Sequence, residues 1–210
     1  MPSTRVVHHA DGVAFLAQPL PADHAIITSL PDHSELPELG VDGWRRWFVD
    51  TVALACRSVA ADSVAIFYQT DVKHDGRWID KGHLVMTGAD AAGSHALWHK
   101  VVCRVPPETT TFGRPAYAHM ICVSRDRRLL PGASTPDVIG SLGKMSWSRA
   151  MGTHACDAAV RFVGSLGLRA IVDPFCGMGS VLAAANAHGL AAIGVELSRR
   201  RAAKARSLGL

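Results

Sequence analysis

The segment Ala170-Ile-Val-Asp-Pro-Phe-Cys-Gly-Met-Gly-Ser-Val-Leu182 holds the residues whose types and spacing point most directly to chemistry. A short apolar run enters Asp173-Pro174, two glycines follow at Gly177 and Gly179, and a helical pattern begins at Ser180. Glycines at such a turn let the backbone reverse sharply and approach a ligand closely. The helix that follows offers free N–H groups and a positive dipole end to an anionic group. A second apolar run, Ala191–Val195, ends at Glu196, where an acid at the tip of the next strand suits ribose hydroxyls. A dinucleotide fingerprint calls for a third small residue three positions after the second glycine. Leu182 stands there instead, and Asp173-Pro174 precedes the turn, so the loop reads as a site for a nucleoside cofactor other than NAD.

The sequence DPFCGMGS followed by GVELS resembles the cofactor motif of the permuted (β-type) class I amino-methyltransferases, a group with many bacterial DNA N6-adenine and N4-cytosine methylases. In that group the catalytic half comes first and the cofactor loop last. The resemblance implies S-adenosyl-L-methionine (SAM) as cofactor. It implies contacts to SAM from Asp173, Pro174, Phe175, Cys176, Gly177, Gly179, Ser180 and Glu196. His9-Ala-Asp-Gly-Val-Ala-Phe-Leu is similar to the family's opening, which puts Asp11 and Gly12 near the adenine. Ser146-Trp-Ser-Arg-Ala-Met-Gly lies where the last SAM-contacting motif sits, which adds Ser146, Trp147 and Met151. Trp147 either stacks on the adenine or staples the helix that follows.

The family's catalytic tetrapeptide is Asp, Asn or Ser, two prolines and an aromatic residue. This chain has Ser29-Leu30-Pro31-Asp32. Ser29 and the Leu30 carbonyl can still accept hydrogen bonds from a target amine. The ring that would stack on a flipped base is replaced by Asp32. Two readings stay open: Asp32 is a general base for the acceptor, or it caps a short helix. His33, His99, Lys100, Arg104 and Arg114 are candidate substrate contacts, with His99 and Lys100 alternatively a plain strand end. Tyr117 and His119 alternate on one strand face and are read as core. His8-His9 lacks metal-ligand spacing with any acid or cysteine, so no metal site is expected.

The elements that must position these residues alternate between short apolar runs and helical stretches, the pattern of an α/β protein with a Rossmann-like, doubly wound, mostly parallel sheet. Strands are predicted at 5–9, 24–28, 63–68, 96–102, 117–124, 170–173 and 191–195, and helices at 44–59, 80–92, 148–165, 179–188 and 199–208. Residues 126–146, rich in Pro and Gly, read as a loop. The expected organisation is one SAM-dependent methyltransferase domain over 1–210, with a catalytic half at 1–125, the loop at 126–146 and a cofactor-binding half at 147–210. The resemblance adds a class I methyltransferase fold with circularly permuted motif order. The strand ending at Asp173 should lie beside the one leading to Ser29, so that both loops face one pocket.

The chain has 210 residues, 48% hydrophobic and 19% charged, which describes a globular protein with a sizeable core. Five widely spaced cysteines without a CxxC pair argue against a disulfide framework. The N-terminus lacks the apolar centre of a signal peptide and no apolar run reaches membrane-spanning length, so a cytoplasmic protein without membrane contact is expected. The net charge is +4. Residues 99–128 carry six Lys/Arg against two acids, and 199–206 carry five and none. Such segments suit either a solvated face or a polyanionic partner. The expected partner is nucleic acid, with RNA, tRNA in particular, ahead of DNA. This preference follows the Leu at position 30 and the shortness of the 126–146 loop. A DNA amino-methyltransferase, a SAM-binding subunit without catalysis and a small-molecule methyltransferase are the alternatives. Kinship with permuted DNA enzymes also implies a possible homodimer.

Overall fold

The structure, a computed structural model, describes residues 4–148 and 150–209; Met1–Ser3, Arg149 (inside the predicted 148–165 helix) and Leu210 lie outside the described residues. In chain order the elements are β1 (Arg5–His9), α1 (Gly12–Leu16), β2 (His24–Thr28), α2 (Gly40–Ser58), β3 (Ala65–Gln69), β4 (Val72–His74), β5 (Arg77–Ile79), α3 (Lys81–Ala91), β6 (His95–Cys103), β7 (Tyr117–Ser124), β8 (Val138–Ile139), α4 (Thr153–Ser165), β9 (Ala170–Asp173), α5 (Ser180–Ala187), β10 (Ala191–Glu196) and α6 (Arg199–Ala205). Two short 3-10 turns, His33–Glu35 and Pro37–Leu39, join β2 to α2.

Among the described residues, eight strands form one sheet in the order β1-β10-β9-β2-β3-β7-β6-β8. The first five run parallel, and β7 is antiparallel to both β3 and β6. The mostly parallel α/β sheet is therefore as the sequence implies. The central strands β2, β3 and β9 are buried almost throughout, as their continuous apolar runs require of strands covered on both faces. One face carries α2 and α3, with Trp44, Phe48, Val52 and Val85 against Ile26, Phe67 and Ile121. The other carries α4, α5 and α6, with Val160, Leu182 and Ala202 in the same cluster as Ile27, Ile66 and Ile171.

Three differences from the sequence reading have local causes. Segment 126–146 is not all loop. Val138–Ile139 adds an eighth strand on β6, and Val101 N–H reaches the Asp137 carbonyl at 2.8 Å. Residues 72–79 form a hairpin closed by Asp75-Gly76, both at positive φ (48° and 71°), the conformation that a two-residue turn of matching twist requires. The helix predicted from 148 begins at Thr153, and Trp147, Ala150 and Met151 ahead of it line the cavity at the carboxyl ends of the strands instead.

Candidate active site

The carboxyl ends of β1, β10, β9 and β2 open on one cavity of about 260 Å³. Its walls bring together Asp11 and Gly12 after β1, Ser29–Pro31 after β2, and Asp173–Gly177 after β9. Ser180 of α5, Glu196 at the end of β10, and Trp147 and Met151 ahead of α4 complete them. β2 and β9 are neighbours, and Thr28 Oγ1 donates to Asp173 Oδ1 at 2.7 Å across their ends. The turn after β9 is built for close approach. Gly177 sits at φ +55°, and a Cβ there would lie 3.2 Å from the Trp147 ring. Gly12 has no room for any side chain, since a Cβ would overlap the Pro174 carbonyl oxygen. Asp11 caps α1 by accepting from Val13 and Ala14 N–H, which fixes its carboxylate on the cavity rim.

Two of the acids lining this cavity, Asp173 and Glu196, differ in their surroundings. Asp173 is buried, and that burial pushes its carboxyl up to about 7 despite the bonds from Thr28 and from Phe175 N–H. Glu196 Oε1 accepts from Ser198 N–H at 2.7 Å and pairs with Arg201 at 2.8 Å. Trp47 of α2 also lines the cavity, edge-on to Phe175 at 6.0 Å. Neither Trp47 nor Arg201 stood out in the sequence, because helix periodicity gives Trp47 to the core and Arg201 belongs to a basic run. Ser146 and Gly179 are not on the wall. Ser146 Oγ instead holds the Ser180 hydroxyl at 2.7 Å. Gly179, at φ +89°, makes room for Ala205 of α6.

The tetrapeptide separates this cavity from a smaller one of about 60 Å³, whose lining includes Ser29, Asp32, Glu35, Tyr68, Gln69, Lys81, Arg104 and Arg114. Trp44 Nε1 donates to the Pro31 carbonyl at 3.1 Å and pins the turn. Ser29 Oγ has no hydrogen-bond partner among the described residues and lines both cavities. Asp32 caps the 3-10 turn in a reciprocal box with Glu35. It also pairs with Arg114 at 3.1 Å and with buried Lys81 at 3.5 Å. Burial alone would raise its carboxyl, but Lys81, the His33 contacts and Arg114 outweigh that and hold it below the ordinary range. A carboxylate so engaged is a weak proton acceptor, and the capping reading of Asp32 fits the geometry better than the general base.

The candidate substrate contacts divide. Arg104 and Arg114 line the small cavity. His33 does not; its ring packs edge-on against Trp44 and His74. Lys100 points to the other sheet face, where Nζ donates to the carbonyls of Thr135 and Pro136 and ties down the 126–146 segment. His99 lies outside both cavities and bonds the His119 ring at 2.9 Å, while His119 bonds buried Asp71 at 3.0 Å. Asp71, Asp80 and His119 bring ligand atoms within 4.8 Å of one another, a grouping not seen in the sequence because it joins three elements. Asp71 is already met there by Trp78 Nε1, Lys81 N–H and His119. The basic run 99–128 is also divided. Arg104 and Arg114 stand at the cavity end of β6 and β7. Arg125 and Arg127 follow the far end of β7 and bind the Val59 and Asp62 carbonyls.

No family model matches the chain, and no curated protein sequence does. Solved structures do match in fold. TTHA0409 of Thermus thermophilus, named as a DNA modification methylase and complexed with SAM, aligns at TM-score 0.71 over 96% of this chain and 92% of its own, with 18% identity. The M1.HpyAVI–SAM complex aligns at 0.63 over 97% and 98%, with 12% identity. The cytosine-N4-specific PvuII DNA methyltransferase aligns at 0.67 over 99% and 88%, with 13% identity. The chain thus has the α/β fold of these methyltransferases along nearly its whole length.

Proposed function

We propose that this protein is a SAM-dependent methyltransferase whose acceptor is an amino group of a nucleic-acid base, in DNA ahead of RNA. The observation that carries the proposal is the single cavity shared by Ser29 and Gly177, loops nearly 150 residues apart in sequence. The cavity fits SAM in the chemistry of its walls. N–H groups of the glycine turn and α5 would meet the methionine carboxylate. Asp173 would pair with its ammonium, Glu196 would take the ribose hydroxyls, and Asp11 and Trp147 would bound the adenine. When bound, SAM supplies a methyl group on a positively charged sulfur. Ser29 Oγ and the Leu30 carbonyl would accept hydrogen bonds from the incoming amine and turn its lone pair toward that methyl. Transfer of that methyl to the amine nitrogen would leave the cofactor as a neutral thioether, and the amine's surplus proton would pass to solvent beside Ser29. Asp32 holds Arg114, Lys81 and the tetrapeptide in place rather than taking the proton.

DNA is put first because two of the structural neighbours described above, TTHA0409 and the PvuII enzyme, carry DNA-methylase names. The tRNA reading rests on Leu30 and becomes the second one. It keeps one observation in its favour: residues 126–146 are pinned to β6 and provide no separate reading module. The test is incubation with methyl-labelled SAM and separate pools of duplex DNA, single-stranded DNA, tRNA and ribosomal RNA. Label in DNA is the expected outcome. Label in tRNA alone would restore the second reading, and label in none, with SAM bound, would leave a binding subunit.

A further inference from the structure

Gln69, the last residue of β3, is 1% exposed and lines the small cavity. Its side-chain nitrogen has no hydrogen-bond partner among the described residues. A buried amide donor left unpaired destabilises a fold, and here it stands beside a space of about 60 Å³, room for the edge of one small ring. The neighbouring groups are also donors. Arg104 gives one bond, from Nη1 to the Pro115 carbonyl at 3.2 Å, and has the rest of its fork to offer. Lys81 and Arg114 are paired with Asp32, and Glu35, the other acid on this wall, accepts from Asp32 N–H at 3.1 Å. Two donors, Gln69 Nε2 and the free part of the Arg104 fork, thus face a ligand next to Ser29, where the proposed target amine sits.

Resting on the methyltransferase reading above, we infer that this pocket reads the acceptor base, that Gln69 donates its amide to it, and that the base is a 4-aminopyrimidine, cytosine, rather than adenine. Cytosine carries two acceptors in a row, N3 and O2, beside its amine. With the amine at Ser29, those two atoms meet Gln69 and Arg104. Adenine offers one ring nitrogen on either side of its amine, and a C–H follows each. A second donor would then face carbon and stay unpaired. The Asp at position 32 suits this arrangement, since its pairing with Arg114 and Lys81 builds the polar wall where a ring would otherwise lie.

Two measurements test the inference, one of which needs no turnover. In the intact 15N-labelled protein, the Gln69 side-chain amide resonance is identified by its loss in Gln69→Glu. Cytidine, adenosine and inorganic phosphate are then titrated separately. Cytidine should shift that resonance and adenosine should not. Equal shifts from both, or none from cytidine, overturn the inference, and a response to phosphate alone makes the pocket an anion site instead. Second, Gln69→Met replaces the amide by an apolar group of similar shape. Transfer to DNA should fall about ten- to hundredfold, with SAM affinity unchanged and thermal stability equal or higher. A residue with only a structural role would lower stability instead. Mass analysis of the labelled nucleosides should give N4-methylcytosine, and N6-methyladenine would refute the assignment. A cytidine shift without transfer to any nucleic acid would keep the pocket chemistry and remove the methyltransferase reading.

Discussion

The proposed pairing of Asp173 with the ammonium of SAM would link cofactor binding to pH in a calculable way. The Asp173 carboxyl titrates at about 7 because it is buried beside the glycine turn. Only the ionised form can pair with the ammonium of SAM, whose own α-amino group has an ordinary value of about 7.7–8.0. The two titrations oppose each other, so affinity should peak at about pH 7.4 and weaken roughly sixfold by pH 6 and over tenfold by pH 5.5. The free protein behaves in the opposite sense. A carboxyl whose folded value is raised to about 7 contributes stability that is complete below its unfolded value and lost as pH rises through 7. The full difference is at most about 4 kcal/mol. Asp173→Asn retains an oxygen for Thr28 and Phe175 N–H. It should therefore stabilise the free protein at pH 8 while weakening SAM binding at least tenfold and removing the acid limb of the pH profile. Calorimetric titrations from pH 5.5 to 8.5 and urea unfolding of both proteins measure these effects. A pH-independent affinity, or unchanged SAM binding in Asp173→Asn, would refute the pairing.

Asp32→Asn keeps the cap but leaves buried Lys81 unpaired, which should destabilise the fold by about 3–5 kcal/mol at neutral pH in denaturant unfolding. Because the Asp32 value is depressed, its contribution is present above the ordinary carboxylate range and lost only as pH falls below it. Activity should therefore show no limb from Asp32 between pH 5 and 8, and a wild-type limb absent from the Asn variant would revive the general base. Glu196→Ala removes the proposed ribose acceptor and frees Arg201, so calorimetry should find SAM affinity reduced roughly tenfold or more. Charge reversal at Arg127 and Arg128, beyond the far end of β7, should leave nucleic-acid affinity and its salt slope unchanged. Losing a phosphate contact would instead lower that slope by about 0.7–0.9.

How much of this was legible depended on the range of the forces involved. Strands such as β2, β7 and β9 follow from unbroken apolar runs that only a buried sheet can use, and the sequence limits match the structure. The cofactor turn was legible because it is contiguous. β8 was not, since its two residues are held by the partner strand rather than by their own pattern. The hairpin at 72–79 was signalled by Asp75-Gly76, but its strands are too short to show a period. Asp32 could be placed at the site from sequence, yet its role depends on Lys81 and Arg114, which only the fold brings near. The basic run misled for a geometric reason. An eight-residue strand carries the chain about 27 Å, so Arg114 and Arg125, close in sequence, serve opposite ends of the sheet.

The strand order also governs how the molecule is assembled. Strands β9 and β10, encoded after the other strands of this sheet, insert between β1 and β2, which are encoded well before them. During synthesis β1 waits for β10, its sheet partner among the described residues. The nascent chain can pair β2, β3, β7, β6 and β8 early, but it leaves an open edge on β2 until the final strands emerge. Such long-range closure slows folding and exposes an aggregation-prone edge. The last strands to dock carry Asp173 and Glu196 to Asp11 and Ser29, so the cofactor cavity is created by the closing step itself. A ligand that bridges these loops would bind the completed sheet and hold the late-arriving strands in it.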